Sequence, residues 1–305
     1  MKVRCLVLGA NGFIGSHVVD LLASKFGYVS SFARSTYKFK NNQVTSFTGD
    51  FLDSSALEHA LEGHDCVIHS ISSSTPALAA EDPAFDVSAN LLPTLSLVKS
   101  MAKKSVKKLI YLSSGGTVYG NPSELPVSEN ALISPISVYG STKAAIENYL
   151  RILCEQYGIA LVILRPSNPY GPRQFNKGSQ GLIATLLHKA IKKEPIVLFD
   201  EGKAVRDYIY IGDLALAIYK SIITDTTDVY NISSGIPLSV FAIKELVEKI
   251  TDYQFLYSLY PKREFDIDEI VLDSTKAQQL LNWQPVVEIE SGICKQFNWM
   301  KTQSW

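Results

Sequence analysis

Hydrophobic positions along this chain keep two alternating rhythms. Apolar runs at 3–8, 28–33, 44–48, 66–70, 108–113 and 160–164 have the length and boundaries of buried strands. Between them apolar residues recur every three or four positions, as at Ile14, Val18, Leu21 and Leu22, which is one face of a helix. Strand and helix alternating in this way predict an α/β fold built on a doubly wound parallel sheet. After Arg165-Pro166 the rhythm loosens, with turn-rich stretches at 169–181 and 199–206 and helical patterns at 182–193, 214–223 and 243–251. The expected division is a sheet domain over 1–164 and a smaller mixed α/β lobe over 165–305, between which the chain has room to cross back once. No internal repeat or low-complexity tract interrupts the pattern.

In such a sheet, ligands collect at the C-terminal ends of the strands. There the first strand runs into Gly9-Ala10-Asn11-Gly12-Phe13-Ile14-Gly15 and then into a helical pattern. One glycine suits a tight turn, one lets backbone approach a pyrophosphate, and the third lets helix pack closely on strand, with the phosphates at the helix N-terminus. The alternative is an ordinary glycine-rich turn; the flanking strand and helix favour a Rossmann-type dinucleotide site. Farther on, Tyr139-Gly140-Ser141-Thr142-Lys143 opens another helical pattern, so Tyr139 and Lys143 share a face. An ammonium beside a phenol favours the phenolate. Such a phenol can pass a proton to or from an alcohol oxygen while hydride moves to a nicotinamide. Without the glycine loop upstream, the pair would read as two residues on a solvated helix.

Composition narrows the function classes. A chain of 305 residues, 46% of them hydrophobic and carrying a net charge of −1, can bury a large core and offers no basic surface for nucleic acid. The Lys103-Lys104 and Lys107-Lys108 pairs suit the end of a helix, where cations meet its dipole. Cys5, Cys66, Cys154 and Cys294 are scattered, so neither a disulfide framework nor a zinc site is expected, and cysteine usage fits a reduced, cytoplasmic protein. The histidines show no metal-ligand spacing, and His69, at a strand end, reads as a satisfied core-edge residue. No G-x-S-x-G follows a strand, which argues against a serine hydrolase. No apolar run reaches the length needed to cross a bilayer, and no signal segment follows Met1, so no membrane partner is expected.

Together with further segments, these residues resemble the extended short-chain dehydrogenase/reductase superfamily. Within it they are most similar to the nucleotide-sugar epimerases, dehydratases and reductases of the UDP-galactose 4-epimerase type. The resemblance runs nearly end to end. It takes in Gly9/Gly12/Gly15, Gly49-Asp50-Phe51, Asn90, the stretch 113–120 (SSGGTVYG), Tyr139/Lys143, 164–172 (LRPSNPYGP), Arg206-Asp207-Tyr208-Ile209, Lys262-Arg263-Glu264 and 280–285 (LLNWQP). It implies that NAD or NADP is held by Gly9, Asn11, Gly12, Phe13, Ile14, Gly15, Arg34, Asp50, Phe51, Ser70, Asn90, Ser113, Tyr139, Lys143 and Pro166. It implies a nucleoside diphosphate sugar held by Ser114, Gly115, Thr117, Tyr139, Asn168, Gly181, Leu182, Arg206 and Arg263, with Gln180 in the same groove. Guanidinium forks suit the diphosphate. Arg206 has an alternative as the structural partner of Asp207 or Asp213, and Arg263 as a surface ion pair among Lys262, Glu264, Asp266 and Asp268. The resemblance also implies a homodimer formed through the helices over 83–104 and 138–157.

Two departures from the family pattern bear on chemistry. Where most relatives carry the Ser or Thr that bonds the sugar oxygen beside the catalytic Tyr, this chain has Gly115; Ser114 or Thr117 is then expected to supply the hydroxyl, with Thr117 favoured. Gly116 and Thr117 stand where dehydratases carry an acidic pair, which argues against 4,6-dehydration. At the end of the second strand, NAD-selective relatives carry an acid that repels a ribose phosphate. Here Phe32-Ala33-Arg34-Ser35, with Lys38 and Lys40 close behind, favours NADP over NAD, unless Arg34 only stacks on adenine or lies in solvent.

The leading reading is a 4-epimerase acting by transient oxidation at C4 of a nucleoside diphosphate hexose, with Tyr139, Lys143 and Thr117 or Ser114 as catalytic residues. An NADPH-dependent 4-ketoreductase of a 4-keto-6-deoxy sugar nucleotide would use the same residues. A dinucleotide-binding sensor without turnover is the reading of another class; the intact Tyr139/Lys143 pair argues against it.

Overall fold

The structure is a computed structural model that describes residues 3–37, 39, 41, 43–174, 181–262 and 267–303. Its strands in chain order are Cys5–Leu8 (β1), Val29–Ala33 (β2), Val44–Thr48 (β3), Cys66–His69 (β4), Lys108–Leu112 (β5), Ala160–Pro166 (β6), Asn168–Tyr170 (β7), Ile196–Phe199 (β8), Val205–Tyr210 (β9), Asp228–Ile232 (β10), Pro237–Ser239 (β11) and Tyr257–Tyr260 (β12). The first six coincide with the apolar runs of the sequence to within one or two residues at their ends. Seven strands pair in parallel in the order β10-β6-β5-β4-β1-β2-β3. Residues of β1 and β4 are buried throughout, as strands covered on both faces must be.

One face of the sheet is covered by the helix Phe13–Phe26 and by Ile211–Ile223, whose Leu214, Ile218 and Ile222 share a core with Val18, Val19 and Leu22. Helix Ile211–Ile223 and β10 come from the C-terminal half, so the chain returns to the main sheet after building part of the lobe; Ala277, Leu281 and Trp283 join the same core. The other face packs under the helices Ser54–Leu61, Leu92–Lys103 and Val138–Tyr157 through Leu57, Leu97, Met101, Ile146 and Leu150. In the lobe, β11-β9-β7 and β12-β8 form two small sheets beside the helices Leu182–Lys192, Val240–Thr251 and Ile289–Lys301. Ile183, Leu187, Ile243, Val247, Ile293 and Met300 make that core.

Between β5, β6 and the helix Val138–Tyr157 lies a buried polar chain. The Arg165 guanidinium meets the Glu147 carboxylate at 2.5 Å, with both side chains almost wholly buried. Ser113 Oγ donates to the same carboxylate at 2.5 Å, and Arg165 Nη1 donates to Tyr119 Oη at 2.8 Å. Tyr119 Oη in turn donates to Asn231 Oδ1 on β10 at 2.7 Å. Two charges taken out of water in this way hold only while both are present, because either alone is an uncompensated buried ion.

Glu147→Leu is therefore expected to destabilise the fold by about 3–5 kcal/mol, read as a lowered urea midpoint, although leucine fills similar volume. A midpoint equal to the parent's would show that the pair is not holding the sheet and helix together.

Candidate functional site

The strand order reverses between β1 and β4, and the chain leaves these neighbours in opposite directions, opening a crevice at their C-terminal ends. Ser70, just past β4, closes the back of that crevice by donating Oγ to Leu8 O at 2.6 Å. Gly9 follows β1 at φ +80, a left-handed conformation that side chains resist. Gly12 N donates to Gly9 O at 2.9 Å to close the loop. A Cβ on Gly15 would lie 2.8 Å from the Gly9 carbonyl carbon and closer still to its oxygen, so only glycine lets the helix approach the loop.

Helix Phe13–Phe26 then starts at Gly12 with no side-chain cap and no acid in its first turn. Its first intrahelical bond is Ser16 N to Gly12 O, which leaves the amides of Phe13, Ile14 and Gly15 for an anion. Asn11 Nδ2 donates to Ser35 O, tying the loop to the turn after β2. That turn carries Arg34, which is exposed. Asp50 Oδ1 accepts Leu52 N at 2.9 Å within its own turn. The Phe51 ring is buried against His69 at 5.0 Å, so what Phe51 offers a ligand is backbone. Uncapped amides above a cradle that a Cβ would fill fit a dinucleotide pyrophosphate.

The chemistry-bearing residues meet at the ends of β5 and β6. Helix Val138–Tyr157 is capped by Ser137, whose Oγ accepts Gly140 N at 3.1 Å. A Cβ on Gly140 would lie 2.7 Å from Thr117 O, so this glycine lets the helix press onto the turn that carries Ser114, Gly115 and Thr117. Tyr139 and Lys143 share a face: Lys143 Nζ lies 5.7 Å from the Tyr139 ring centroid and donates to Leu112 O at 3.1 Å. Nζ also lies 5.1 Å from the ring of Tyr111. Burial draws the Lys143 ammonium down, but Tyr111, Tyr139 and Asp86 outweigh it and hold the group above its ordinary range. Lys143 is thus a fixed cation beneath the phenol.

Other predicted residues are placed less directly. The hydroxyl of Ser113 is buried and committed to Glu147. Asn90 is also buried; its Oδ1 accepts Ser73 N at 2.8 Å and its Nδ2 reaches Ser74 Oγ at 3.0 Å, so it holds the loop after β4. Pro166 ends β6 with its carbonyl facing Gly115. At Gly115 a Cβ would lie 2.9 Å from Arg165 O and still closer to the Leu272 side chain, which fills the space a Ser or Thr would need. Ser114 and Thr117 are half-buried on either side. Ser114 Oγ makes no hydrogen bond among the described residues, while Thr117 Oγ1 makes a long one, 3.5 Å, to Ser114 O.

On the lobe side, Asn168 stands beside Gly116 and donates Nδ2 to Asp207 O at 2.9 Å. Arg206 Nη1 donates to Val205 O at 2.9 Å and Asp268 O at 3.3 Å. The Asp207 carboxylate is buried and accepts the amides of Ser234, Gly235 and Leu272, and that of Asp213 accepts those of Val286 and Val287. Gly181, at φ +86, opens the helix Leu182–Lys192, with Leu182 half-buried. Arg263, Gln180, Lys38, Lys40, Glu264 and Asp266 lie outside the described residues. Among the described residues no cluster could hold a metal ion.

Sequence reasoning passed over Asp86, Tyr111, Glu147 and Leu272. Helical spacing carried a signal for two of them, since Glu147 is four residues from Lys143 and Asp86 four from Asn90. The parts played by Tyr111 and Leu272 exist only in three dimensions.

His69 is buried, with Nε2 2.9 Å from Thr94 Oγ1 and Nδ1 accepting Ile71 N at 3.3 Å. Burial, with Lys143 nearby, pushes its imidazole down to about 3, so it is a neutral structural residue.

The model of the NAD dependent epimerase/dehydratase family matches residues 5–233. A Methanocaldococcus jannaschii protein, provisionally named UDP-glucose 4-epimerase, is 34% identical over 304 residues, 98% of this chain and 99% of its own. The UDP-glucose 4-epimerase of Thermotoga maritima, solved with UDP-glucose, superposes with a TM-score of 0.92 at 31% identity, covering 98% of this chain and 99% of that one. That of Thermus thermophilus, solved with NAD, gives 0.92 at 30% identity, covering 99% and 100%. A matching family model over most of the chain, and the same loop, turn and helix assembled at one end of one sheet, place it: the chain belongs to the NAD dependent epimerase/dehydratase family.

Proposed function

We propose that this protein is a nucleotide-sugar 4-epimerase. The observation that carries the reading is that the uncapped helix N-terminus at Gly12 and the Tyr139/Lys143 pair lie at the same end of one parallel sheet, with the helix of that pair pressed onto the Ser114–Thr117 turn. Similarity along the whole chain to proteins named UDP-glucose 4-epimerases supports it.

Gly9, Gly12 and Gly15, the amides of Phe13 and Ile14, and Asn11 would hold the NAD pyrophosphate, with Ser70, Asp50, Phe51, Asn90, Ser113 and Pro166 shaping the pocket around it. Bound there, the nicotinamide supplies reversible hydride acceptance. Tyr139 takes the proton from the C4 hydroxyl of the sugar and later returns it. The Lys143 ammonium stabilises the phenolate form of Tyr139 that receives this proton. Because Leu272 closes Gly115 to a side chain, the hydroxyl that steadies the C4 oxygen comes from Thr117 or Ser114. Asn168, Arg206 and Arg263 engage the diphosphate, with Gly181 and Leu182 lining the groove. A 4-ketoreductase would use the same proton donor but deliver hydride once; the relatives' names favour the epimerase.

Arg34, exposed past β2 with no acid in the 32–35 stretch, offers a positive charge to a 2′-phosphate, which supports binding of NADP as well as NAD. The exposed Leu92, Tyr149 and Ile152 lie on the two helices expected to pair, which supports a homodimer. Among the described residues no helix is long and apolar enough to cross a membrane. The four cysteines are free, in keeping with a reducing cytoplasm.

Incubation with UDP-glucose is expected to yield UDP-galactose without net cofactor consumption; turnover that instead consumes NADPH on a 4-keto sugar would replace this reading with the reductase. Tyr139→Phe should lower kcat by about 10²- to 10⁴-fold with KM little changed. Arg34→Asp should weaken NADP binding about tenfold or more while leaving NAD within a few-fold, as titration calorimetry can show; equal losses for both would make Arg34 a bystander.

A further inference from the structure

The helix Phe13–Phe26, which offers its first amides to the cofactor, turns one stripe toward the segment that follows β7. Phe13, His17 and Asp20 recur on that stripe at helical spacing, and the rings of Phe13 and His17 meet edge to face at 6.1 Å. His17 Nε2 donates to Pro172 O at 2.8 Å. One turn farther along, the Asp20 carboxylate pairs with the Arg173 guanidinium, with the two side chains only 21% and 16% exposed. Asp20 Oδ1 and Arg173 Nη1 are buried with no further partner among the described residues, so each charge depends on the other. Arg173 sits at φ +69, a left-handed conformation that side chains resist and a glycine would take freely. The chain accepts that strain at the residue whose guanidinium reaches Asp20.

The segment lies between groups proposed to hold the substrate. Asn168 opens β7 on one side, and Gly181 and Leu182 open the next helix on the other. Gln174, the neighbour of Arg173, donates Nε2 to Pro169 O at 3.1 Å, and a Cβ on Gly181 would lie 2.6 Å from that same nitrogen. Gln296, on the helix Ile289–Lys301, donates Nε2 to Gln174 Oε1 at 3.5 Å. Both sides of the proposed groove therefore lean on Gln174, and Gln174 is anchored through Arg173 to the cofactor helix.

We infer that Arg173 is a positioning residue for the sugar nucleotide: its pairing with Asp20 sets the substrate groove against the helix that carries the cofactor. The inference rests on the 4-epimerase reading, in which Asn168, Gly181 and Leu182 engage the nucleotide sugar. Arg173 acts through Gln174 and the backbone of the segment, not on the reacting atoms.

The test is Arg173→Met, of similar length without the charge. Calorimetric titration with UDP should show binding weakened about tenfold, and KM for UDP-glucose should rise by a similar factor while kcat stays within about threefold of the parent's. Asp20→Asn removes the same pair from the side of the cofactor helix and should match it, and the double variant should bind UDP no more weakly than either single. Should Arg173→Met fail to fold, Asp20→Asn must show the loss by itself. Parent-like UDP affinity in the folded variants, even with a lowered urea midpoint, would reduce the pair to a structural tie and overturn the positioning role while leaving the epimerase standing. A double variant much weaker than both singles would do the same, since the two side chains would then act apart. Failure of the parent protein to bind UDP would bring down both readings.

Discussion

The buried ion pair between Arg165 and Glu147 is the interaction on which the rest depends. Arg165 lies on β6 and Glu147 on the helix that carries Tyr139 and Lys143, so the pair sets how far along the sheet that helix sits. The same carboxylate takes the hydroxyl of Ser113, the first residue of the turn bearing Ser114 and Thr117. The same guanidinium reaches Tyr119 at the far end of that turn, and through it Asn231 on the edge strand from the C-terminal half. One buried charge pair therefore fixes helix, turn and returning strand together. Its removal from water is costly, and the added hydrogen bonds offset that cost.

A second constraint is the absence of side chains at three close approaches. Gly15 lets the first helix meet the Gly9 loop, Gly140 lets the Tyr139 helix meet the turn at Thr117, and Gly115 lets Leu272 slide beneath that turn. The last is reciprocal. Leu272 is buried, and its backbone amide is held by Asp207, the neighbour of Arg206. A segment of the lobe thus occupies the space that a Ser or Thr would need at position 115, so the proposed catalytic turn and the proposed diphosphate groove are built from one packing arrangement.

The proposed site also separates tasks by burial. Lys143, His69, Asp86 and Asn90 are nearly closed to solvent and hold charge, tautomer or loop in place. Tyr139, Ser114 and Thr117 are half-buried, open enough to meet a sugar. Low dielectric around the first group strengthens its field at the second.

Much of this was legible in the linear chain. The apolar runs marked the strands of the parallel sheet, because strands covered on both faces must be continuously apolar. The glycine loop and the four-residue spacing of Tyr139 and Lys143 depend on local backbone geometry, so they too could be read without a fold. What the sequence could not reveal was which distant segments meet. Nothing local in β10 says that it joins β6, nothing in Leu272 that it closes Gly115, and nothing in Tyr111 that it faces Lys143. Periodicity and turn chemistry act over a few residues and are written in order along the chain. The pairing of buried charges, and the filling of space left by a missing Cβ, are settled only when elements far apart in sequence pack together.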